Sequence, residues 1–215
     1  MNSARCCRQS SVHEPVKLFL ASSNPGKLAE YCALATAAAP SLPIELELLA
    51  GFDALPQFEE NAPTFGENAA GKALHYSRQR DGLVFADDSG LVVPALGGAP
   101  GVHSARYAGP RATNAEKIQK LLIEMRGKTG TERATYFVCA IALARRGRAV
   151  AIVSDRVDGE ILEAPRGSGG FGYDPVFYFP ALKKTFAELN AEEKNHLSHR
   201  GKAFRRLLAT LSTML

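Results

Sequence analysis

The chain of 215 residues has only four cysteines, Cys6, Cys7, Cys32 and Cys139, and their spacing suits none of the structures that cysteines build together. Adjacent cysteines do not make the separated pairs of a zinc site, and a chain this long is no small stapled scaffold. A reducing, cytoplasmic setting is the simpler expectation. No apolar run approaches the length of a membrane span, which leaves no candidate for a spanning helix. Residues 1–15 carry Arg5 and Arg8 but lack the apolar core of a secretory signal, and they read as a loose leader to a domain over 16–215. There is no internal repeat, no low-complexity segment and no linker that divides the chain. The Walker pattern of spaced glycines followed by lysine is missing as well. The net charge of +4 permits an anionic ligand, but the cations are dispersed among carboxylates. A nucleic-acid module would cluster them with aromatics on one face, so a small phosphate-rich ligand fits better than a nucleic acid.

What is present is ordinary globular composition, 46% hydrophobic and 22% charged. A short apolar strand over 16–21 leads into Ser22, Ser23, Asn24, Pro25, Gly26 and Lys27. Asn24 suits an N-cap and Pro25 the first helical position, which predicts a helix over 25–38 with Leu28, Tyr31, Cys32 and Leu34 or Ala35 buried. Strand, polar loop and helix in succession present free backbone N–H groups to an anion. A second strand is expected over 44–48, then an acidic loop with Glu59 and Glu60, then a helix opened by Thr64 and Glu67 and reaching about Arg80. Thr113 with Glu116 repeats that capping pattern. Segments 133–144 and 148–157 read as long antiparallel strands turning at Gly147, so the sheet is mixed and the fold α/β. Near the carboxyl end, Asn190 with Glu193 and then Ser198 predict two more helices, the last burying Ala203, Phe204, Leu207, Leu208 and Leu211.

The most informative run is Val84, Phe85, Ala86, Asp87, Asp88, Ser89, Gly90, Leu91, which sets two carboxylates and a hydroxyl at the end of an apolar strand. In open α/β sheets ligands sit there. Magnesium takes oxygen ligands, one or two carboxylates with substrate phosphates completing its shell. Asp, Ser and Gly are equally ordinary turn residues, and alone the two readings are evenly matched. Other features add to the first. Phe171 stands among glycines in the run 167–175, where a flat ligand could approach its face. His199 and Arg200 fall in the first turn of the last helix, where cations oppose the helix dipole, a placement that suggests they are in use.

The motifs SSNPGK at 22–27, TFGENA at 64–69, FADDSGL at 85–91, GGAPGVHSARYAG at 97–109, GGFGYDPVF at 169–177 and SHRGKA at 198–203 occur together and in order. In this the chain closely resembles the inosine/xanthosine triphosphate pyrophosphatases, from about Lys17 to its end. The resemblance implies an elongated α/β protein with a long mixed sheet, two lobes flanking a cleft, and a homodimer. It implies Mg²⁺-dependent hydrolysis of deaminated purine nucleoside triphosphates to the monophosphate and pyrophosphate. It further implies that residues 22–27 hold the triphosphate, that Glu59 and Asp88 bind the metal, and that Asp88 accepts the proton of the attacking water. Ser89 would contact substrate. Phe171, Gly172, Tyr173, Asp174, Lys194, His199 and Arg200 would form the nucleoside and phosphate pocket. Lys27 is then expected to act on phosphates, and His199 with Arg200 on the choice of base. A housecleaning pyrophosphatase for other modified nucleotides would share the chemistry without the GGFGYDPVF and SHRGKA motifs.

Overall fold

The computed structural model describes residues 15–23, 25–38 and 43–214. Residues 1–14 of the expected leader and the N-cap Asn24 lie outside them. One seven-stranded sheet forms the frame. In chain order the elements are β1 (Val16–Leu20), α1 (Pro25–Ala38), β2 (Ile44–Leu48), α2 (Phe65–Ser77), β3 (Leu83–Val92), α3 (Asn114–Glu124), β4 (Ala134–Arg145), β5 (Arg148–Ile161), β6 (Phe177–Phe179), β7 (Lys184–Thr185), α4 (Ala191–Leu197) and α5 (His199–Ser212). The sheet order is β2-β1-β3-β4-β5-β6-β7. β1 is parallel to both β2 and β3, and every later pair is antiparallel, so the sheet is mixed as expected.

The local caps form because each is settled by neighbours in sequence. Thr113 with Glu116 and Asn190 with Glu193 close full capping boxes, and the Ser198 side chain accepts from the Gly201 N–H. Thr64 accepts the Glu67 N–H, while its hydroxyl donates to the Glu67 carboxylate, so only half of that box forms. α5 buries the five apolar residues its 3.6-residue period selects, packing them with Leu18, Leu20, Tyr31 and Phe85. In α1, Tyr31, Leu34 and Ala35 are buried, while Leu28 and Cys32 are half-buried. α2 stops at Ser77, short of Arg80, and β5 runs on past Val157 to Ile161.

A larger correction concerns β3. The aspartates do not stand at the end of their strand; it continues to Val92, with Asp87 opposite Ile141 and Asp88 opposite Ala140. Turn-prone residues are held extended because β4 supplies a partner for each of them. The expected location survives in another form. β1 pairs with β3 only as far as Phe85, so Asp87, Asp88 and Ser89 project beyond the carboxyl end of the parallel strands. Side chains alternate along a strand, which sends neighbours to opposite faces. Phe85, Asp87 and Ser89 therefore face α1 and α5, and Asp88 faces α2.

Candidate active site

The two faces carry different chemistry. On the α1 and α5 face, Asp87 is fully buried and receives the Lys27 ammonium at 2.9 Å, with the Arg200 Nε 3.6 Å from its other oxygen. Burial alone would raise its pKa. The two cations more than offset that and hold the carboxyl well below the usual carboxylate range. Arg200 is itself buried, donates to the Ser89 hydroxyl at 3.3 Å, and pairs with Glu30. Lys27 and Arg200, expected to serve separate ends of a substrate, thus converge on one carboxylate.

Asp88, on the α2 face, is placed by two donors. The Ser89 N–H donates to Oδ1 and the Asn68 amide to Oδ2, both at 2.9 Å. Asn68 is fully buried and also clasps the acidic loop, accepting from the Ala62 N–H at 2.9 Å and donating to the Ala62 carbonyl at 3.3 Å. Burial, then the charges of Glu60 and Asp87, push the Asp88 carboxyl up to about 6. Lys72 pairs with Glu60 at 2.6 Å. Of the two acidic-loop carboxylates it is Glu60 whose charge acts on Asp88. Glu59 is exposed and accepts from the Asn61 amide at 2.9 Å, and the described contacts do not join it to Asp88.

Ser22 is buried and Ser23 and Gly26 are exposed where β1 hands the chain to α1, whose first turn holds no acidic residue. That leaves the positive end of the helix dipole uncompensated by its own side chains. The glycine turn meets the cations Lys194 and Arg200 through Phe171. Phe171 keeps 46% of its surface exposed, a large fraction for a ring that nothing forces outward. The Lys194 ammonium lies 4.5 Å from its ring centroid and the Arg200 guanidinium carbon 5.5 Å. Asp174 fixes the turn, accepting from the Phe171 N–H at 2.8 Å and from Lys194 at 2.7 Å. A side chain at Gly170, where φ is +71°, would meet that same carboxylate, so glycine is required. Gly172 also has positive φ, at +63°. Tyr173 is buried in the core, so its ring supports the turn from behind.

His199 stacks on Phe137 with ring centroids 4.8 Å apart and planes 10° from parallel. Burial first, then Arg200 and Lys194, push its pKa well below the usual imidazole value, so it is neutral, and its buried Nδ1 has no partner. Lys194 lies 3.6 Å from Glu30, which therefore ties Lys194 and Arg200 to the helix that follows the serine loop.

Sequence reading missed Glu30, Asn68 and Lys72. Glu30 stands one turn beyond Lys27 on α1, and Asn68 and Lys72 are four residues apart on one face of α2. Those spacings were the available signal.

The molecule is thus an α/β protein with a buried network of ion pairs beyond its parallel strands, facing an exposed aromatic ring. It belongs to the Ham1 family, whose model matches residues 18–210. It is 50% identical over 191 residues to the dITP/XTP pyrophosphatase of Geobacillus kaustophilus, covering 89% of this chain and 92% of that one. With the dITP/XTP pyrophosphatase of Thermus thermophilus it shares 50% identity over 193 residues, 90% of each chain. Among solved structures, a HAM1 protein from Coxiella burnetii superposes with a TM-score of 0.82 at 42% identity, covering 92% of this chain and 99% of that one. The Staphylococcus aureus Ham1 protein gives a TM-score of 0.81 at 35% identity, covering 93% of this chain and all of that one (100%).

Proposed function

We propose that this protein is a nucleoside triphosphate pyrophosphatase. It hydrolyses deaminated purine nucleoside triphosphates, dITP, ITP, dXTP and XTP, to the monophosphate and pyrophosphate with Mg²⁺, and acts in the cytoplasm as a homodimer. The observation that carries the reading is the pair of adjacent aspartates on β3, Asp88 beside Glu60 on one face and Asp87 between Lys27 and Arg200 on the other, with the open face of Phe171 joined to the second group through Lys194 and Glu30. The names of its relatives support it.

Among the described residues no three Asp, Glu, His or Cys side chains gather into a metal cage. Magnesium does not need one, since it keeps waters and substrate phosphate oxygens and takes one or two carboxylates. The donor set fits. Asp88 is raised partly because Glu60 and Asp87 crowd it, and a dication relieves that repulsion. Asp88, with a carboxylate of the acidic loop from Glu59 or Glu60, would hold the ion, which when bound lowers the pKa of water and neutralises phosphate charge.

The chain's own residues do the rest. Release of pyrophosphate requires attack on the α-phosphorus, and Asp88 is the group held to receive the water's proton. Lys27 and the N–H groups opening α1 bind the phosphates and stabilise charge growing on the leaving group. Phe171 stacks on the purine. Hypoxanthine and xanthine carry a carbonyl at the six position, which accepts from donors such as Lys194, His199 or Arg200; adenine offers an amino group there and is rejected. Xanthine also differs from guanine at the two position, where it offers an acceptor in place of an amino group.

Pyrophosphate release across a panel of triphosphates tests the reading. Inosine and xanthosine triphosphates should be turned over well, and adenosine and guanosine triphosphates poorly. Comparable turnover of guanosine and inosine triphosphates would remove the base-selection argument. Phe171→Ala should raise KM about tenfold, within the range that base stacking supplies, and barely move Tm because the ring is already half exposed. A large fall in Tm with KM unchanged would make Phe171 a packing residue instead.

A further inference from the structure

The segment GGAPGVHSARYAG has no part in the chemistry above, yet it touches three parts of the site within three residues. The 3₁₀ turn at Gly101–Arg106 lies against β3. The buried Ser104 hydroxyl donates to the Gly101 carbonyl at 2.6 Å and accepts from the Leu91 N–H at 2.9 Å. The approach is close enough that a Cβ at Gly90 would lie 2.4 Å from that hydroxyl and 2.6 Å from the Gly101 carbonyl. The Ser104 carbonyl accepts from the Tyr173 hydroxyl at 2.9 Å, and Tyr173 belongs to the turn that presents Phe171. The Arg106 guanidinium donates to the Glu60 carbonyl at 3.0 Å.

We propose that residues 104–106 are a bridge between the aromatic turn and the acidic loop, and that Arg106 is the positioning residue that sets that loop for metal binding. Asn68 clasps the loop at Ala62 from the α2 side, and Arg106 holds it at Glu60 from the opposite end. With both ends fixed, the acidic carboxylates are presented to Asp88 without the loop having to order itself when the ion arrives. Tyr173 seats the bridge from behind, so the turn under the base and the loop at the metal share one support. The inference rests on the metal reading of the previous section.

Arg106→Met keeps the chain length and removes the donors; Arg106→Lys restores one; Tyr173→Phe removes only the hydroxyl. In metal-free protein, hydrogen exchange across 58–63 should quicken in Arg106→Met, less so in Arg106→Lys. Tyr173→Phe should quicken it too, although its own bond is to Ser104. Calorimetric titration with Mg²⁺ alone should show affinity weakened about tenfold in Arg106→Met, the equivalent of one hydrogen bond. At saturating Mg²⁺ its KM for nucleotide should be unchanged. If wild type binds Mg²⁺ and Arg106→Met binds it equally well with unchanged exchange, the bridge is overturned. If wild type binds no Mg²⁺ without nucleotide, the claim that the loop is set for the ion in advance fails, and quickened exchange in 58–63 still decides for the bridge.

Discussion

Asp88→Asn is expected to lower turnover about a hundredfold or more while leaving the fold in place, because it removes a charge and a proton acceptor with little change in volume. The substitution keeps an oxygen for the Ser89 N–H and ends the repulsion from Glu60 and Asp87, but it turns an amide nitrogen toward the Asn68 amide, whose own oxygen is held by the Ala62 N–H. The Asp88 pKa lies at about 6 in the folded chain, above the usual carboxylate value. A carboxyl raised on folding binds protons more tightly in the native state, so its stabilising contribution is present at low pH and is lost as pH rises through about 6. Asp88→Asn should remove that pH dependence, so the difference in Tm shifts in favour of the variant as pH rises through about 6. Wild-type kcat/KM at low Mg²⁺ should fall below the same pH, as the base becomes protonated. Near-normal turnover by the variant at saturating Mg²⁺ would take Asp88 out of the mechanism.

Asp87→Asn is expected to cost stability first. The neutral amide leaves Lys27 and the buried Arg200 without the charge they converge on. Breaking a buried pair from one side costs roughly 3 to 5 kcal/mol, and about 3 is the better expectation here because Lys27 is partly exposed. For a domain of this size that corresponds to a fall in Tm of about 10 °C. The Asp87 pKa is depressed, so the stabilisation it gives exists above the ordinary carboxylate range and is lost as pH falls through the depressed value. The difference in Tm between wild type and variant should then be full at neutral pH and shrink in strong acid. A variant with unchanged Tm at pH 7 would show that the two cations are held by Glu30 and their other partners instead.

How much of this could be read from the chain follows the range of the interactions. The caps at Thr113, Asn190 and Ser198 were legible because each is decided within three residues. The buried face of α5 was legible because a helical period repeats. The continuation of β3 through Asp87 and Asp88 was not, since nothing local holds those residues extended and β4 does. Without that strand pairing the chain gives no sign that the pleat sets the adjacent carboxylates on opposite sides. Glu30 and Lys72 escaped for a related reason. Each is an unremarkable helix surface residue until the fold brings Arg200, 170 positions away, or the acidic loop against it.

The pairing of β3 with β4 carries a consequence of its own. Nine residues of β3, from Val84 to Val92, are matched to β4 in one unbroken antiparallel register. A slip of a single residue turns every side chain to the other side of the sheet. Shifted one way, the carboxylate meant to stay charged would meet the Asn68 amide; shifted the other way, the one meant to take a proton would be locked between two cations. The alignment of two strands is thus what tells two identical side chains apart.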